Sequence, residues 1–178
     1  MNVIRPEIEG LLILEPKIFR DDRGFFVETF QHSRYAALGV GPFVQDNWSR
    51  SKKGVLRGLH FQQPKPQGKL VMVTRGAAWD VAVDIRRASP TFGKHVAVEL
   101  SESNGRQFWI PAGFAHGFLA LTDDTDFLYK VTEPYAPEAE GAIRWDDPAL
   151  AISWPLPNPL VSGKDQQAPL LKDAPRLF

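Results

Sequence analysis

The 178-residue sequence contains no cysteine. This absence excludes disulfide bonds, thiol catalysis and thiolate metal sites, and it is compatible with the cytosol. No apolar stretch approaches the length of a membrane-spanning helix, and the opening MNVIRPEIEG lacks the apolar run of a signal peptide. We therefore expect a soluble, cytoplasmic protein.

The sequence also lacks a net charge, because its 21 basic and 21 acidic residues cancel. Without a global field, neither nucleic acid nor an anionic membrane is an expected partner. The only basic cluster, RSKK (Arg50 to Lys53), is typical of a solvated loop.

What the sequence does contain is enough apolar material for one core, with 43% hydrophobic and 11% aromatic residues. No repeat or long linker divides the chain. We expect a single domain over residues 1–178, with an N-terminal strand segment to about residue 30 and a C-terminal arm from about residue 155, where PLPNP ends the sheet-forming region.

Short segments with period-two alternation lie between 14 glycines and 15 prolines, which is typical of half-buried strands. In WDVAVDIR (Trp79 to Arg86) the apolar side chains share one face, and HVAVEL (His95 to Leu100) points Val96, Val98 and Leu100 inward. Many closely spaced strands favour a sandwich or barrel. Further candidates are GLLILE, GFFVETF, VLRGLHF, KLVMVT, QFWIP, FLALT, DFLYKVT and AIRW.

Helical pattern is scarce. SRYAALG predicts two turns capped by Ser33 and ended by Gly39. DPALAI predicts the start of a short helix, with Asp147 as its cap and Pro148 at its first position.

Two sequence blocks resemble the cupin family. Gly54 and His60 fit the opening of the first block, and GRQFWIPAGFAH, which ends at His116, fits the second. The resemblance implies an all-β, cupin-type jelly-roll β-barrel with a few short peripheral helices. Metal-binding cupins continue the first block with a second histidine and a glutamate, where this chain has Gln62, Pro66 and Gln67.

Two histidines fall short of the three protein ligands usual for zinc or non-haem iron, so no metal site is expected at His60 and His116. A metal-dependent cupin oxygenase is the alternative, and the metal content of the purified protein distinguishes it.

Motifs along nearly the whole chain resemble the dTDP-4-dehydrorhamnose 3,5-epimerase family. They are FRDDRGFFVETF, VQDNWSRSKKGVLRGLHFQ, QGKLVMVTRGAAWDVAVDIRRASPTFGK, WIPAGFAHGFLAL, DFLYKVTEPYAPEAE and SGKD. The resemblance implies inversion at carbons 3 and 5 of a dTDP-linked 4-keto-6-deoxy sugar, in dTDP-L-rhamnose biosynthesis, without a metal or redox cofactor. Both carbons lie beside a ketone, so each inversion needs a base on one face, a stabilised enolate and a proton donor on the other face.

The resemblance assigns the catalytic roles to four residues. His60 is the base, Asp165 its acidic partner, Tyr129 the proton donor and Lys69 the positive charge beside the enolate oxygen. Taken singly, these residues would be interpreted as a core histidine, an arm carboxylate, a core tyrosine and a solvated lysine.

The resemblance also implies a substrate-binding set. His116 would face the sugar, and Arg23 and Arg57 suit a diphosphate because a guanidinium donates two hydrogen bonds to phosphate oxygens. The segment carrying Arg23 and Glu28 would cross to a neighbouring subunit, which implies a homodimer. The residues around the nucleotide would be Glu28, Gln45, Asn47, Tyr135, Glu140 and Lys164.

Two other functions remain open from the sequence. Relatives that epimerise only carbon 3 use much the same residues, and a non-catalytic cupin that binds a sugar or nucleotide would be favoured if Tyr129, Asp165 or Lys69 were absent. Trp48 stands where the family often has a histidine, which leaves the details of base recognition open.

In GVLRGLHFQ, Arg57 and His60 would face opposite sides of a regular strand, yet the function implied by the resemblance needs both beside one ligand. A bulge at Gly58 would shift the alternation by one residue and turn both side chains to the same cavity.

Overall fold

Two antiparallel sheets face each other in the computed structural model, which describes all 178 residues. The strands are β1 (Asn2–Ile4), β2 (Leu12–Glu15), β3 (Ile18–Asp21), β4 (Gly24–Val27), β5 (Gln45–Ser51), β6 (Val55–Gln62), β7 (Lys69–Arg75), β8 (Ala77–Asp84), β9 (His95–Ser101), β10 (Gln107–Ile110), β11 (Phe114–Ala120), β12 (Thr125–Val131), β13 (Glu140–Ala142) and β14 (Leu160–Val161).

The first sheet has the order β1-β2-β10-β7-β12-β5, and the second has the order β13-β6-β11-β8-β9, with β14 parallel to β6. Strands β3 and β4 form a separate two-stranded hairpin. The predicted all-β, cupin-type jelly roll is therefore confirmed. None of the helices has the length and apolar character needed to span a membrane.

Hydrophobic clusters lie between the sheets and on both of their outer faces. The predicted inward face of β9 is confirmed, since Val98 and Leu100 lie in the cluster between the sheets. Strand β8 also alternates as predicted, but both of its faces are buried: Ala82 faces the interior, while Val81 and Val83 pack beneath residues of the C-terminal arm. The arm thus covers the outside of the second sheet and supplies part of the core.

The helices are shorter than the sequence predicts. Helix α1 (His32–Ala36) begins one residue before the predicted cap, because the side chain of Gln31 accepts a hydrogen bond of 2.8 Å from the N–H of Arg34. The predicted helix at DPALAI is wrong. Asp147 instead closes a turn, and its second carboxylate oxygen accepts a bond of 2.7 Å from the N–H of Leu171.

Another short helix, α2 (Gly163–Gln166), overlaps SGKD and is capped by Ser162. Two 3₁₀ turns occupy Pro137–Ala139 and Leu171–Asp173. These four short helical segments are the peripheral helices that the cupin resemblance implied.

One loop prediction and one strand prediction need correction, and four strands were missed. Only the second half of the basic cluster RSKK lies in a loop, because Arg50 and Ser51 belong to the end of β5 and pair with β12. The AIRW segment extends the sheet only as far as Ala142. Strands β1, β3, β5 and β14 were not predicted; they are short, or, in β5, rich in polar residues.

The predicted bulge at Gly58 is confirmed. His116 pairs with His60 and Phe118 with Arg57, so β6 has one more residue than β11 between the two pairs. Gly58 has a φ of +127°, and a Cβ there would lie 2.5 Å from the Cα of Gly117. Glycine at this position lets the two strands approach and turns Arg57 and His60 to the same cavity.

Replacing Gly58 with alanine should therefore destabilise the fold through a steric clash of the new Cβ with β11 as well as through backbone strain. Gly24→Ala is the matched control, because Gly24 has a similar φ of +133° but no atom within 4 Å of the place a Cβ would take. We expect Gly58→Ala to lower the free energy of unfolding by about 2 kcal/mol more than Gly24→Ala, as overpacking does. Denaturant unfolding measures both, and equal losses would contradict the close approach.

Candidate active site

A cavity with two adjoining lobes opens between the sheets. The larger lobe has a volume of about 510 Å³ and the smaller lobe about 260 Å³. His60, Lys69 and Tyr129 line both lobes, so they stand where the lobes meet. The floor of the larger lobe includes Phe118 and Phe127, whose stacked rings lie 4.0 Å apart and continue into the core.

His60 lies on β6 and is hydrogen-bonded to Asp165 from the C-terminal arm. The distance from His60 Nε2 to Asp165 Oδ1 is 2.6 Å, and the second carboxylate oxygen accepts a bond of 3.4 Å from the N–H of Gly58. Burial raises the pKa of Asp165, but the bond to His60, the His60 charge and the Gly58 N–H outweigh burial and leave this pKa below its usual range. The pair thus joins a carboxylate to Nε2 of the His60 ring and leaves the other ring nitrogen facing away from Asp165.

A second pair joins His116 on β11 to Asp80 on β8, with 2.8 Å between His116 Nε2 and Asp80 Oδ2. Burial raises the pKa of Asp80 and lowers the pKa of His116, because the barrel interior disfavours both charges. Sequence reasoning missed Asp80 and placed it on the polar face of WDVAVDIR. Burial of both faces of β8, which obliges the Asp80 carboxyl group to find a partner, is visible only in the structure.

Lys69 begins β7 and brings a cationic group to the junction of the lobes. Burial lowers its pKa to about 8, although the charges of Asp80 and Glu140 oppose this shift. Its Nζ lies 3.5 Å from the carbonyl oxygen of His60. A lysine in this position carries a positive charge that is poorly hydrated and therefore acts strongly on a nearby oxyanion.

Tyr129 enters the cavity from the opposite wall to His60. It lies on β12 in the first sheet, whereas His60 and His116 lie in the second. Burial raises the pKa of the Tyr129 hydroxyl, an effect that the charge of Arg57 opposes. The hydroxyl is therefore protonated at neutral pH and can donate a proton.

Polar groups surround the smaller lobe and the mouth of the larger one. Arg57 lines the larger lobe and donates to Ser51 Oγ at 3.2 Å. In the smaller lobe Gln45 donates to Asn47 at 2.9 Å, and the Tyr135 hydroxyl donates to Glu140 at 3.0 Å. Outside this lobe, the ammonium of Lys164 lies 2.5 Å from the same Glu140 carboxylate.

Two of the predicted site residues lie away from both lobes. Arg23 is at the tip of the β3–β4 hairpin and pairs with Asp21 at 2.6 Å, while Glu28 pairs with Arg34 at 2.6 Å. The chain alone thus brings together the other eleven predicted residues, including Lys164 at the rim, but not these two. Trp48 points outward on β5, opposite to the inward Asn47, and is 68% exposed.

No group of three or more histidine, aspartate or glutamate side chains is arranged to hold a metal ion. His60 and His116 are direct neighbours across β6 and β11, yet each ring is bonded to its own carboxylate. The structure therefore pairs both His60 and His116 with a carboxyl group of their own, Asp165 and Asp80 respectively.

Comparison with known proteins extends these observations to nearly the whole chain. Residues 5–173 match the family model described as dTDP-4-dehydrorhamnose 3,5-epimerase. The chain is 54% identical to the dTDP-4-dehydrorhamnose 3,5-epimerase of Salmonella typhimurium over 98% of this chain and 97% of that protein.

Solved structures show the same relationship. A dTDP-6-deoxy-D-glucose-3,5-epimerase from Legionella pneumophila, in complex with dTDP-4-keto-L-rhamnose, superimposes with a TM-score of 0.93 and 57% identity over 96% of this chain and 93% of that one. A 3'-monoepimerase from Streptomyces bikiniensis, in complex with dTDP-quinovose, superimposes with a TM-score of 0.88 and is 38% identical over 94% of this chain and 86% of that one. The chain belongs to the dTDP-4-dehydrorhamnose 3,5-epimerase family.

Proposed function

We propose that the chain inverts carbons 3 and 5 of dTDP-4-dehydro-6-deoxy-D-glucose, giving dTDP-4-dehydro-L-rhamnose for dTDP-L-rhamnose biosynthesis. The observation that carries this proposal is the placement of a histidine–aspartate pair and a partly buried tyrosine on opposite walls of one cavity. Inversion beside a ketone requires this arrangement, because the proton leaves one face of the carbon and returns to the other. As a nucleotide-sugar enzyme, the protein is proposed to act in the cytoplasm.

His60 removes the proton from the carbon. Its ring nitrogen that faces away from Asp165 accepts the proton, and the ionised carboxylate stabilises the imidazolium that results. Asp165 also fixes the orientation of the ring, since its own position is held by Ser162 and by the N–H of Gly58.

The electrons of the broken bond move onto the ketone oxygen, which becomes an enolate. Lys69 supplies positive charge to this oxygen. With a pKa of about 8, most Lys69 side chains carry that charge at neutral pH. His116, bonded to Asp80, lines the same lobe and holds the ketone or a hydroxyl of the sugar. Tyr129 then protonates the carbon from the opposite wall.

The nucleotide end of the substrate is assigned to the polar groups beyond the reacting carbons. Arg57 holds the diphosphate, because a guanidinium fits phosphate oxygens in a bidentate manner. The remaining polar side chains contact the nucleotide: Gln45, Asn47, Tyr135, Glu140 and Lys164.

Arg23 and Glu28 complete this set from a second copy of the chain, so the proposed active form is a homodimer. Both residues belong to the hairpin segment, whose side chains Phe19, Phe25 and Phe26 are 51%, 59% and 66% exposed. An isolated two-stranded hairpin is marginally stable and needs a surface to pack against. A neighbouring subunit supplies that surface and receives the two polar side chains.

Two alternatives lead to different products or to none. A 3-epimerase would leave carbon 5 unchanged, and the 3'-monoepimerase at 38% identity makes this the nearer alternative. The 3,5 assignment is favoured because the 3,5-epimerases compared share 54% and 57% of their residues with this chain. A binding protein without activity would have no use for a base and a donor on opposite walls.

The proposed reaction predicts proton exchange. In heavy water the substrate should gain deuterium at both carbons 3 and 5, as NMR of the sugar measures, since each carbon is protonated from solvent-exchanged groups. His60→Asn should lower the exchange rate at both carbons by at least about 100-fold. His95→Asn is the matched control, because His95 lies on β9 away from both lobes, and it should exchange like the wild type.

Deuterium at carbon 3 alone would establish the 3-epimerase. An absence of exchange in the folded wild-type protein would indicate a binding function. Exchange that persists in His60→Asn would exclude His60 as the base.

The proposed dimer predicts complementation between two defective chains. His60→Asn lacks the base of its own cavity, and Arg23→Ala lacks the arginine that it gives to its neighbour. Mixed dimers then contain one intact site, so refolding the two variants together at equal amounts should restore about a quarter of the wild-type sites. Turnover by each variant alone sets the baseline, and a mixture that does not exceed this baseline would place Arg23 in its own chain's site.

A further inference from the structure

The side-chain amide of Gln62 is buried and fully hydrogen-bonded to backbone groups. Gln62 lies on β6, two residues after His60, and is only 4% exposed. Its Nε2 donates to the carbonyl oxygens of Lys65 at 2.7 Å and Pro134 at 3.1 Å, and its Oε1 accepts from the N–H of Ala136 at 3.0 Å. Both amide hydrogens and the oxygen are therefore used.

These bonds hold the backbone on both sides of Tyr135. Pro134 precedes Tyr135 and Ala136 follows it, while the N–H of Tyr135 itself donates to Gln45 Oε1 at 3.0 Å. The ring of Tyr135 lines the smaller lobe but remains 54% exposed, so packing alone does not fix it. Its position depends on the backbone that carries it and on the single bond from its hydroxyl to Glu140.

We infer that Gln62 is a positioning residue that presents Tyr135 to the nucleotide end of the substrate. This inference rests on the proposed function, because it requires Tyr135 to contact the nucleotide. Gln62 acts through the Pro134–Ala136 backbone and touches neither reacting carbon. Preorganising the ring lowers the cost of binding, and it affects ground state and transition state alike.

Gln62→Met tests this role, since methionine has a similar length but forms none of the three bonds. We expect the KM for the dTDP-sugar and the Kd for dTDP, measured by calorimetry, to rise about tenfold with kcat within about threefold, as loss of uniform binding produces. Thr91→Val is the matched control for lost stability. It removes bonds from Thr91 Oγ1 to Asp84 and Ser89 in the β8–β9 connection, away from both lobes. Its KM should be unchanged.

A double-mutant cycle separates positioning from a structural role. In a Tyr135→Ala background the same Gln62→Met change should raise KM less than about twofold, because the residue it positions is gone. A tenfold rise in both backgrounds, or an unchanged KM in Gln62→Met alone, would overturn the inference.

Gln62→Glu provides a second variant if methionine prevents folding. Glutamate keeps the acceptor for Ala136 but repels the two carbonyl oxygens when ionised, so KM relative to wild type should rise at neutral pH and recover as the pH falls and the carboxyl gains a proton. A pH-independent ratio would contradict the role. Failure of the wild type to exchange deuterium would refute the proposed function and this inference together, whereas exchange with a normal KM in Gln62→Met would refute only the inference.

Discussion

The hydrogen bond between His60 and Asp165 joins the barrel to the C-terminal arm, and the arrangement of the cavity depends on it. The two residues are separated by 105 positions in the sequence and by 2.6 Å in the structure. The bond requires the bulge at Gly58, which turns His60 inward, and the N–H of Gly58 donates to Asp165. The bond also requires the arm to pack against the outer face of the second sheet. The His60–Asp165 pair therefore forms only where the arm is packed against the barrel.

The two sheets divide the chemistry between them. The second sheet supplies the paired histidines, and the first sheet supplies Tyr129 and Lys69. A sandwich with a partly open interior therefore places a histidine–aspartate pair and a tyrosine on opposite walls of one cavity. The same interior disfavours the charge of Lys69 and lowers its pKa to about 8.

Much of this molecule follows from its sequence. Alternation predicted β8 and β9, because it is a local rule of strand geometry. The bulge at Gly58 needed the resemblance as well, since regular alternation places Arg57 and His60 on opposite faces and only the implied function required both beside one ligand. Polar β5 was missed because its inward residues Gln45 and Asn47 face a cavity rather than a core. The DPALAI helix was wrong because Asp147 is bonded to Leu171, a partner that local sequence does not reveal. The roles of Asp165 and Tyr129 came from resemblance, since neither shows its partner in the sequence.

The central claim is that the two walls have separate tasks, and Tyr129→Phe tests it most directly. Substrate incubated with this variant in heavy water should still gain deuterium, because His60 remains able to remove a proton and return a deuteron to the same face. Formation of inverted sugar, followed by NMR in the same sample, should fall by at least about 100-fold. Loss of exchange and inversion to the same extent, or inversion at the wild-type rate, would contradict the account.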